Sequence, residues 1–438
     1  MKRLITATIY ILAACTVSQA QTYSLQQCIE TGLENNYSLR ITRNNEAVAH
    51  NNATLANAGY LPSIDLTAGY NAALDNSDAE LRGSGEVQET RNSLDHTLKA
   101  GIGVSWTIFD GFSISTTYKQ LKELERMGET GTRIAIEDLI ADIAAEYYNF
   151  INQRQRLDNY YRAVLLSKER LRIVEERYNI GNFSRLDYQQ AKVDFNADSA
   201  QYIKQQEAVI TSRIALNEMM ALEQVYTPIE TSEKSIEIDS CLDFSTLWNS
   251  TLACNANLLL AQQNSALAEM DYKKVLSRDY PYLKLNLGYD YSFNKYDTNS
   301  YLRRSNWGGS ASVSIGFKLW DGNRRRQKRN AKIEIENARL QREQLELALK
   351  ADLGNMWQAY QNNLQLLKLE KLNVVTASEN HEIAKERYML GDLSGIEMRE
   401  AQQSLLNAQE RLISVEYDTK LCEISLLLIS GTIMEYLK

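Results

Sequence analysis

Only three prolines and twenty glycines interrupt 438 residues, so little in the chain forbids long continuous helices. The cysteines Cys28, Cys241, Cys254 and Cys422 fall at no CxxC or metal-type spacing, and His50, His96 and His381 are as widely scattered. No metal and no cofactor is therefore expected. A nucleophile–base arrangement, a phosphate loop and a carboxylate dyad are all missing, which argues against an enzyme. An excess of basic charge is missing too. The formal net charge is −8, and loss of a leader carrying Lys2 and Arg3 would take it to −10, a poor match to nucleic acid. Beyond the N-terminus no apolar run is long enough to cross a bilayer as a helix.

What is present begins with residues 1–20, which combine a basic start, an apolar run from Leu4 to Ala14 and a Ser18-Gln19-Ala20 end suited to signal peptidase. Export follows from this segment. Leu12-Ala13-Ala14-Cys15 also has the form of a lipoprotein box, so cleavage after Ala20 and lipidation of Cys15 are both open. In an exported chain the other four cysteines can pair or can serve as small buried side chains.

Two stretches organise the rest. In residues 307–320 the odd positions Trp307, Ala311, Val313, Ile315 and Phe317 are mostly apolar, while Ser310, Ser312, Ser314 and Lys318 alternate with them. Leu98, Ala100, Ile102, Val104, Trp106 and Ile108 alternate in the same way with Lys99, Gly101, Gly103, Ser105 and Thr107. Alternation of this kind marks a strand with two unlike faces. Each strand runs into an aromatic-Asp-Gly junction, Phe109-Asp110-Gly111 or Trp320-Asp321-Gly322, and then into a helical pattern of more than sixty residues. Asp110 and Asp321 are expected to cap those helices.

These events belong to an internal repeat. Asn36, Leu39 and Pro62 recur as Asn255, Leu258 and Pro281, and Glu176-Arg177-Tyr178-x-x-Gly181-x-x-Ser184 recurs as Glu386-Arg387-Tyr388-x-x-Gly391-x-x-Ser394. The expected organisation is a leader (1–20), a first repeat (21–222), a linker or small appended structure (223–243) and a second repeat (244–438). In the first repeat a capping box at Ser24–Gln27 starts the helices before Pro62. Strands are expected at 63–71 and 98–109, joined by a long polar loop, and long helices at 112–178 and 185–222. The second repeat is expected to hold strands 282–294 and 307–320 and helices 323–389 and 395–436. Gly181 and Gly391 suit left-handed positions at helix ends, and Ser184 suits the N-cap that follows.

All four strands keep one face free of charge, at a length that crosses a bilayer when tilted. Val104, Trp106, Leu285, Leu287, Val313, Ile315 and Phe317 are expected to face lipid. Four strands cannot close alone, and a membrane sheet tolerates no open edge, so several copies must pool strands. The alternative is a half-buried sheet in a periplasmic coiled-coil adaptor or scaffold protein. Narrow Ala-rich stripes such as Ile333, Ala338, Leu345, Ala348 and Leu349 suit coiled-coil packing, either as a solid rod or as a hollow tube.

The doubled Tyr-x-x-Gly-x-x-Ser turns, the paired aromatic-Asp-Gly junctions and the leader resemble the TolC family of outer-membrane efflux proteins, from about Tyr23 to the C-terminus. The resemblance implies a mainly α fold with a membrane β-barrel: a homotrimer pooling twelve strands in outer-membrane lipid, with a periplasmic helical tunnel. It further implies a passive channel for efflux or type I-like secretion, joined by a periplasmic adaptor (membrane fusion) protein to an inner-membrane pump. By that resemblance Glu397 and Glu400 narrow the tunnel mouth. Asp187 and Tyr388 match further constriction positions, although Leu393 stands where the family pattern has an arginine. The tips at Gly181, Ser184, Gly391 and Ser394 are where the adaptor is expected to dock. The basic run Arg324, Arg325, Arg326, Lys328 and Arg329 opposes its helix dipole and asks for a compensating reason, which lipid headgroups just below the barrel or simple solvation would supply.

Overall fold

The computed structural model describes residues 21–80, 82–83, 85, 87–297 and 301–437. The expected leader, with Cys15, lies outside the described residues. The chain is mainly helical, with four long strands and two short ones. In chain order the elements are β1 (Gln21–Tyr23), α1 (Leu25–Asn35), α2 (Tyr37–Asn52), α3 (Leu55–Ala58), β2 (Ser63–Glu80), β3 (Val87–Phe109), α4 (Ser113–Asn179) and α5 (Arg185–Met219). There follow β4 (Ile229–Thr231), α6 (Phe244–Cys254), α7 (Ala256–Ser277), β5 (Tyr282–Lys295), β6 (Arg303–Gly316), α8 (Gly322–Leu390), α9 (Gly395–Ser430) and a 3-10 turn, Ile433–Leu437. No helix among the described residues is long and apolar enough to cross a membrane. Two compact units divide the chain: one comprises the chain to Asn44, Thr130–Leu259 and Gln344 onward, the other Asn45–Glu129 and Leu260–Glu343.

The second unit holds an antiparallel sheet in the order β2-β3-β5-β6. Its register puts the apolar residues of all four strands on one face. Ile64 pairs with Val104 and Val104 with Leu287, while Trp106 pairs with Leu285 and Leu285 with Val313. Directly paired residues share a face, so the other face collects Ser105, Asn286 and Ser312. The apolar face is uncovered within one chain: Leu66 is 79% exposed, Ile315 76% and Ile64 70%.

The strands differ from the sequence expectation in the β2–β3 hairpin and at both ends of β6, which runs from Arg303 to Gly316 instead of 307–320. Residues 71–97 were expected to form a polar loop, but β2 and β3 continue as a paired ribbon to Glu80 and Val87, stepping over an irregularity between Asp75 and Ser77. Polarity misleads there because a ribbon needs only backbone pairing. Leu74 opposite Leu94, the Arg91–Asp78 ion pair at 2.8 Å and the Asn92 N–H donating to Asn76 Oδ1 at 2.6 Å add to it. In the other direction β6 stops at Gly316, so Phe317, expected as a strand residue facing lipid, lies beyond the strand. The neighbour β5 begins at Tyr282, after Pro281, and offers no backbone for residue 317 to pair with.

Both junction aspartates cap their helices as expected. The Ile114 N–H donates to the Asp110 carboxylate at 3.0 Å, and the Asn323 N–H donates to Asp321 Oδ1 at 2.9 Å. The basic run at the start of α8 finds its partner in Asp279, which pairs with Arg324 at 3.3 Å and also with Lys328.

In the first unit the repeat is visible atom by atom. The Asn36 amide donates to the Met219 carbonyl at 3.1 Å while its oxygen accepts from the Leu39 N–H. Asn255 does the same with the Ile429 carbonyl at 2.9 Å and the Leu258 N–H. The expected linker is more ordered than a connector, because β4 pairs in parallel with β1. Around it a core of Ile29, Ile140, Ile143, Tyr147, Leu216 and Met220 is almost wholly buried. Beside that core Lys420 and Glu423 form a buried ion pair at 2.6 Å, with the ammonium over the Tyr148 and Tyr436 rings. The Asp239 N–H also donates to Glu423. A charge pair taken out of water needs such extra partners. Here they fasten the C-terminal turn and the 229–243 segment to α9. The last helix accordingly ends at Ser430, closed by the left-handed Gly431 (φ 71°), rather than reaching 436. Among the described residues Cys28, Cys241, Cys254 and Cys422 are free, Cys28 buried and Cys241 and Cys254 exposed.

Candidate channel mouth at the helical turns

Residues 180–184 and 391–394 turn the chain from α4 into α5 and from α8 into α9. Gly181 has φ 82° and Gly391 φ 87°, and a Cβ on either would meet open space. Backbone conformation alone therefore demands glycine at both turns. Each following helix opens with a capping box. The Asp187 N–H donates to Ser184 Oγ while Asp187 Oδ2 accepts from the Ser184 N–H and hydroxyl, and Ser394 and Glu397 repeat this arrangement. Exposed apolar side chains crowd these turns: Ile180, Leu186, Leu390 and Ile396 are all more than 70% exposed.

The four residues expected at a common constriction divide between two clefts of the chain. Glu397 and Glu400, both exposed, line a cleft of about 290 Å³ with Asn380, Arg387 and Leu393. Asp187 and Tyr388 line another, of about 350 Å³, with Arg170, Asp194 and Arg399. Asp187 and Tyr388 share this cleft without a hydrogen bond between them. Asp187 is spent on its cap, and the Tyr388 hydroxyl, on a side chain 2% exposed, has no hydrogen-bond partner among the described residues. Capping also sets the titration of Glu397. Donation from the Ser394 backbone, and then from its hydroxyl, holds the carboxyl below the usual carboxylate range.

Sequence reasoning missed the groups that hold the turns together. Arg177 reaches across to the end of α8, donating to the Met389 carbonyl at 2.9 Å with its guanidinium over the Tyr388 and Phe183 rings. Its charge sits where a helix C-terminus favours a cation. Arg399 does not lie against the glutamates beside it in sequence. It makes a bidentate pair with Asp198 of α5, both bonds 2.7 Å. Arg170 of α4, with its side chain 5% exposed, pairs with Asp194. The signal available in sequence was only that an arginine sits at 399, where the first repeat has Gln189. Among the described residues no group of three or more His, Cys, Asp or Glu is arranged to hold a metal.

Long helices joined in pairs by matched glycine turns, and a four-stranded sheet with an exposed apolar face and open edges, are the marks of an outer-membrane protein. The family model for outer membrane efflux proteins matches residues 28–222 and 247–432. The chain belongs to this family, a family of channels and efflux proteins rather than of enzymes, and its place is the outer membrane. Over 167 residues it is 28% identical to the outer membrane protein TolC of Vibrio cholerae, a match spanning 38% of this chain and 36% of that relative's length. Solved structures share the fold at low identity. A membrane protein from Pseudomonas aeruginosa superposes with TM-score 0.78 at 16% identity, over 94% of this chain and 91% of that one. The CmeC outer membrane channel of Campylobacter jejuni superposes with TM-score 0.76 at 17% identity, over 93% and 85% of the two chains. VceC from Vibrio cholerae gives 0.74 at 16% identity, over 93% and 96%.

Proposed function

We propose that the protein is a passive outer-membrane channel for efflux or secretion, formed by three chains that pool twelve strands into one closed barrel. The observation that carries this reading is the sheet. It has one uncovered apolar face, and its edge strands β2 and β6 are left open within a chain. In lipid such edges must be paired, and pairing β6 of one copy with β2 of the next satisfies them. Lipid then takes the face bearing Val104, Trp106, Leu285, Leu287, Val313 and Ile315, and the lumen takes the serines and asparagines opposite.

The long helices extend into the periplasm, and the turns at Gly181, Ser184, Gly391 and Ser394 meet a periplasmic adaptor, which joins the channel to an inner-membrane pump. The exposed apolar side chains at those turns suit such a partner. Glu397 and Glu400 lie three residues apart and so on one helical side. Threefold symmetry gathers six of these carboxylates near one axis, where they repel anions and concentrate cations. Asp187 and Tyr388, in the neighbouring cleft, belong to the same mouth.

Reversal potentials across a planar bilayer under a salt gradient test this reading. The wild-type channel should prefer cations, and the double variant Glu397→Ala, Glu400→Ala should lose much of that preference. Unchanged selectivity in the double variant would move the constriction elsewhere.

A further inference from the structure

The cleft of about 350 Å³ beside the turns holds hydrogen-bonding capacity that the fold does not use. Arg170, 5% exposed, and Tyr388, 2% exposed, both line this cleft, and Arg170 Nη1 and the Tyr388 hydroxyl have no partner among the described residues. Buried donors left in this state cost free energy, and folded proteins rarely keep two in one place without something to bond. The neighbouring acceptors are already committed. Asp194 takes the other side of the Arg170 guanidinium and a Gln190 amide, Asp187 takes the Ser184 cap, and Asp198 takes both Arg399 nitrogens. The walls between these groups are apolar, formed by Val174, Phe183, Leu186 and Ile396.

We infer that this cleft is a binding site for a small, uncharged amphipathic molecule that offers a carbonyl or hydroxyl oxygen to Arg170 and Tyr388 and lays its apolar body between Leu186 and Ile396. The volume lies at the lower end of ordinary ligand pockets, which run from about 300 Å³ upward. Charge selects the class of ligand. Three guanidiniums, Arg170, Arg399 and the Arg177 that lies over the Tyr388 ring, stand with three carboxylates, Asp187, Asp194 and Asp198, so the charges balance and an added charge of either sign would go uncompensated. A neutral acceptor uses the unspent donors without upsetting that balance. Such an occupant touches α4 and α5 on one side and α8 and α9 on the other, and so ties the two helical hairpins together at their turns. Any effect on opening rests on the channel reading and is read separately, by conductance. Binding itself is independent of barrel closure.

The test uses the detergent-extracted full chain, titrated calorimetrically with N-acetyl-L-phenylalaninamide, a neutral probe with carbonyl oxygens and an apolar ring. Saturable binding at one site per chain is expected. The Tyr388→Phe variant should bind about five- to tenfold more weakly, the share of one hydrogen bond. Its thermal midpoint should not fall, because the hydroxyl it loses has no partner in the fold. Leu186→Arg, at an exposed wall position, should weaken binding as well. The anionic N-acetyl-L-phenylalanine should bind less tightly than the amide. Absence of saturable binding, as expected if the cleft holds only water, would overturn the proposal. So would equal affinity in Tyr388→Phe, a fall in the thermal midpoint of that variant, or tighter binding of the anion.

Discussion

Tyr178 and Tyr388 occupy the same place in the two copies of the turn motif, and their surroundings are opposite. Tyr178 is 37% exposed and stacks on Tyr188, with ring centroids 5.4 Å apart. Tyr388 is 2% exposed, lies under the Arg177 guanidinium and keeps its hydroxyl unpaired among the described residues. The backbone around them is the same: a left-handed glycine three residues on, then a serine cap with an acid three residues after it. Duplication has therefore copied the turn but not the chemistry beside it. What differs is where the long side chains go: Arg177 crosses to the end of α8 while its counterpart Arg387 lines the cleft of Glu397, and Arg399, a glutamine in the first copy, pairs with Asp198 of the opposite hairpin.

The sharpest way to break this asymmetry is at position 399. Arg399→Ala removes the partner of Asp198, whose side chain is only 6% exposed, and leaves a buried carboxylate uncompensated. The expected cost is about 3–5 kcal/mol, read from denaturant unfolding followed by circular dichroism. Gln189→Ala, at the exposed equivalent in the first copy, should stay within about 0.5 kcal/mol. Equal effects would mean that the two hairpins are fastened alike.

In the sheet the copies should instead behave the same. Val313 and its first-copy counterpart Ile102, both on the apolar face, should each cost about 2–4 kcal/mol when changed to Arg near mid-bilayer, with reduced assembly. Ser312→Arg on the other face should assemble normally. Equal tolerance on both faces would contradict this register.

The smallest effect concerns the caps. Ser184→Ala and Ser394→Ala should each cost about 1 kcal/mol, measured by thermal unfolding near neutral pH. Because Glu397 is held below its ordinary value of 4.5, its capping contribution is present above that value and is lost as pH falls through the lower folded-state value. The gap between wild type and Ser394→Ala should therefore narrow under acid. A gap that widened would show that the carboxylate is not the capping species.

The readable parts of this chain were those fixed by local pattern. Strand alternation placed Leu285 and Val313 on one face, and the structure pairs them directly. The repeated Gly and Ser placed both turns, because positive φ and capping are demands made within a few residues. The Asn36 and Asn255 landmarks proved to be matched helix-end locks. Unreadable parts depended on partners far away in sequence. Arg399 and Asp198 are 201 residues apart, and nothing local distinguishes this arginine from a solvated one. The ribbon at 71–97 escaped notice because its residues carry the polarity of a loop, while its order comes from pairing across the hairpin. The three-residue strands β1 and β4 are too short to show any period. Tyr388 was legible as a position but not as an unspent hydroxyl, since burial is set by three other helices.

The central claim is that four strands per chain are an incomplete barrel completed by copies of the same chain. Native mass spectrometry of the protein extracted from outer membranes in mild detergent tests it most directly. The account predicts a species with the mass of three mature chains, which dissociates to single chains once Val313→Arg spoils the lipid face. A wild-type species with the mass of one chain would contradict it.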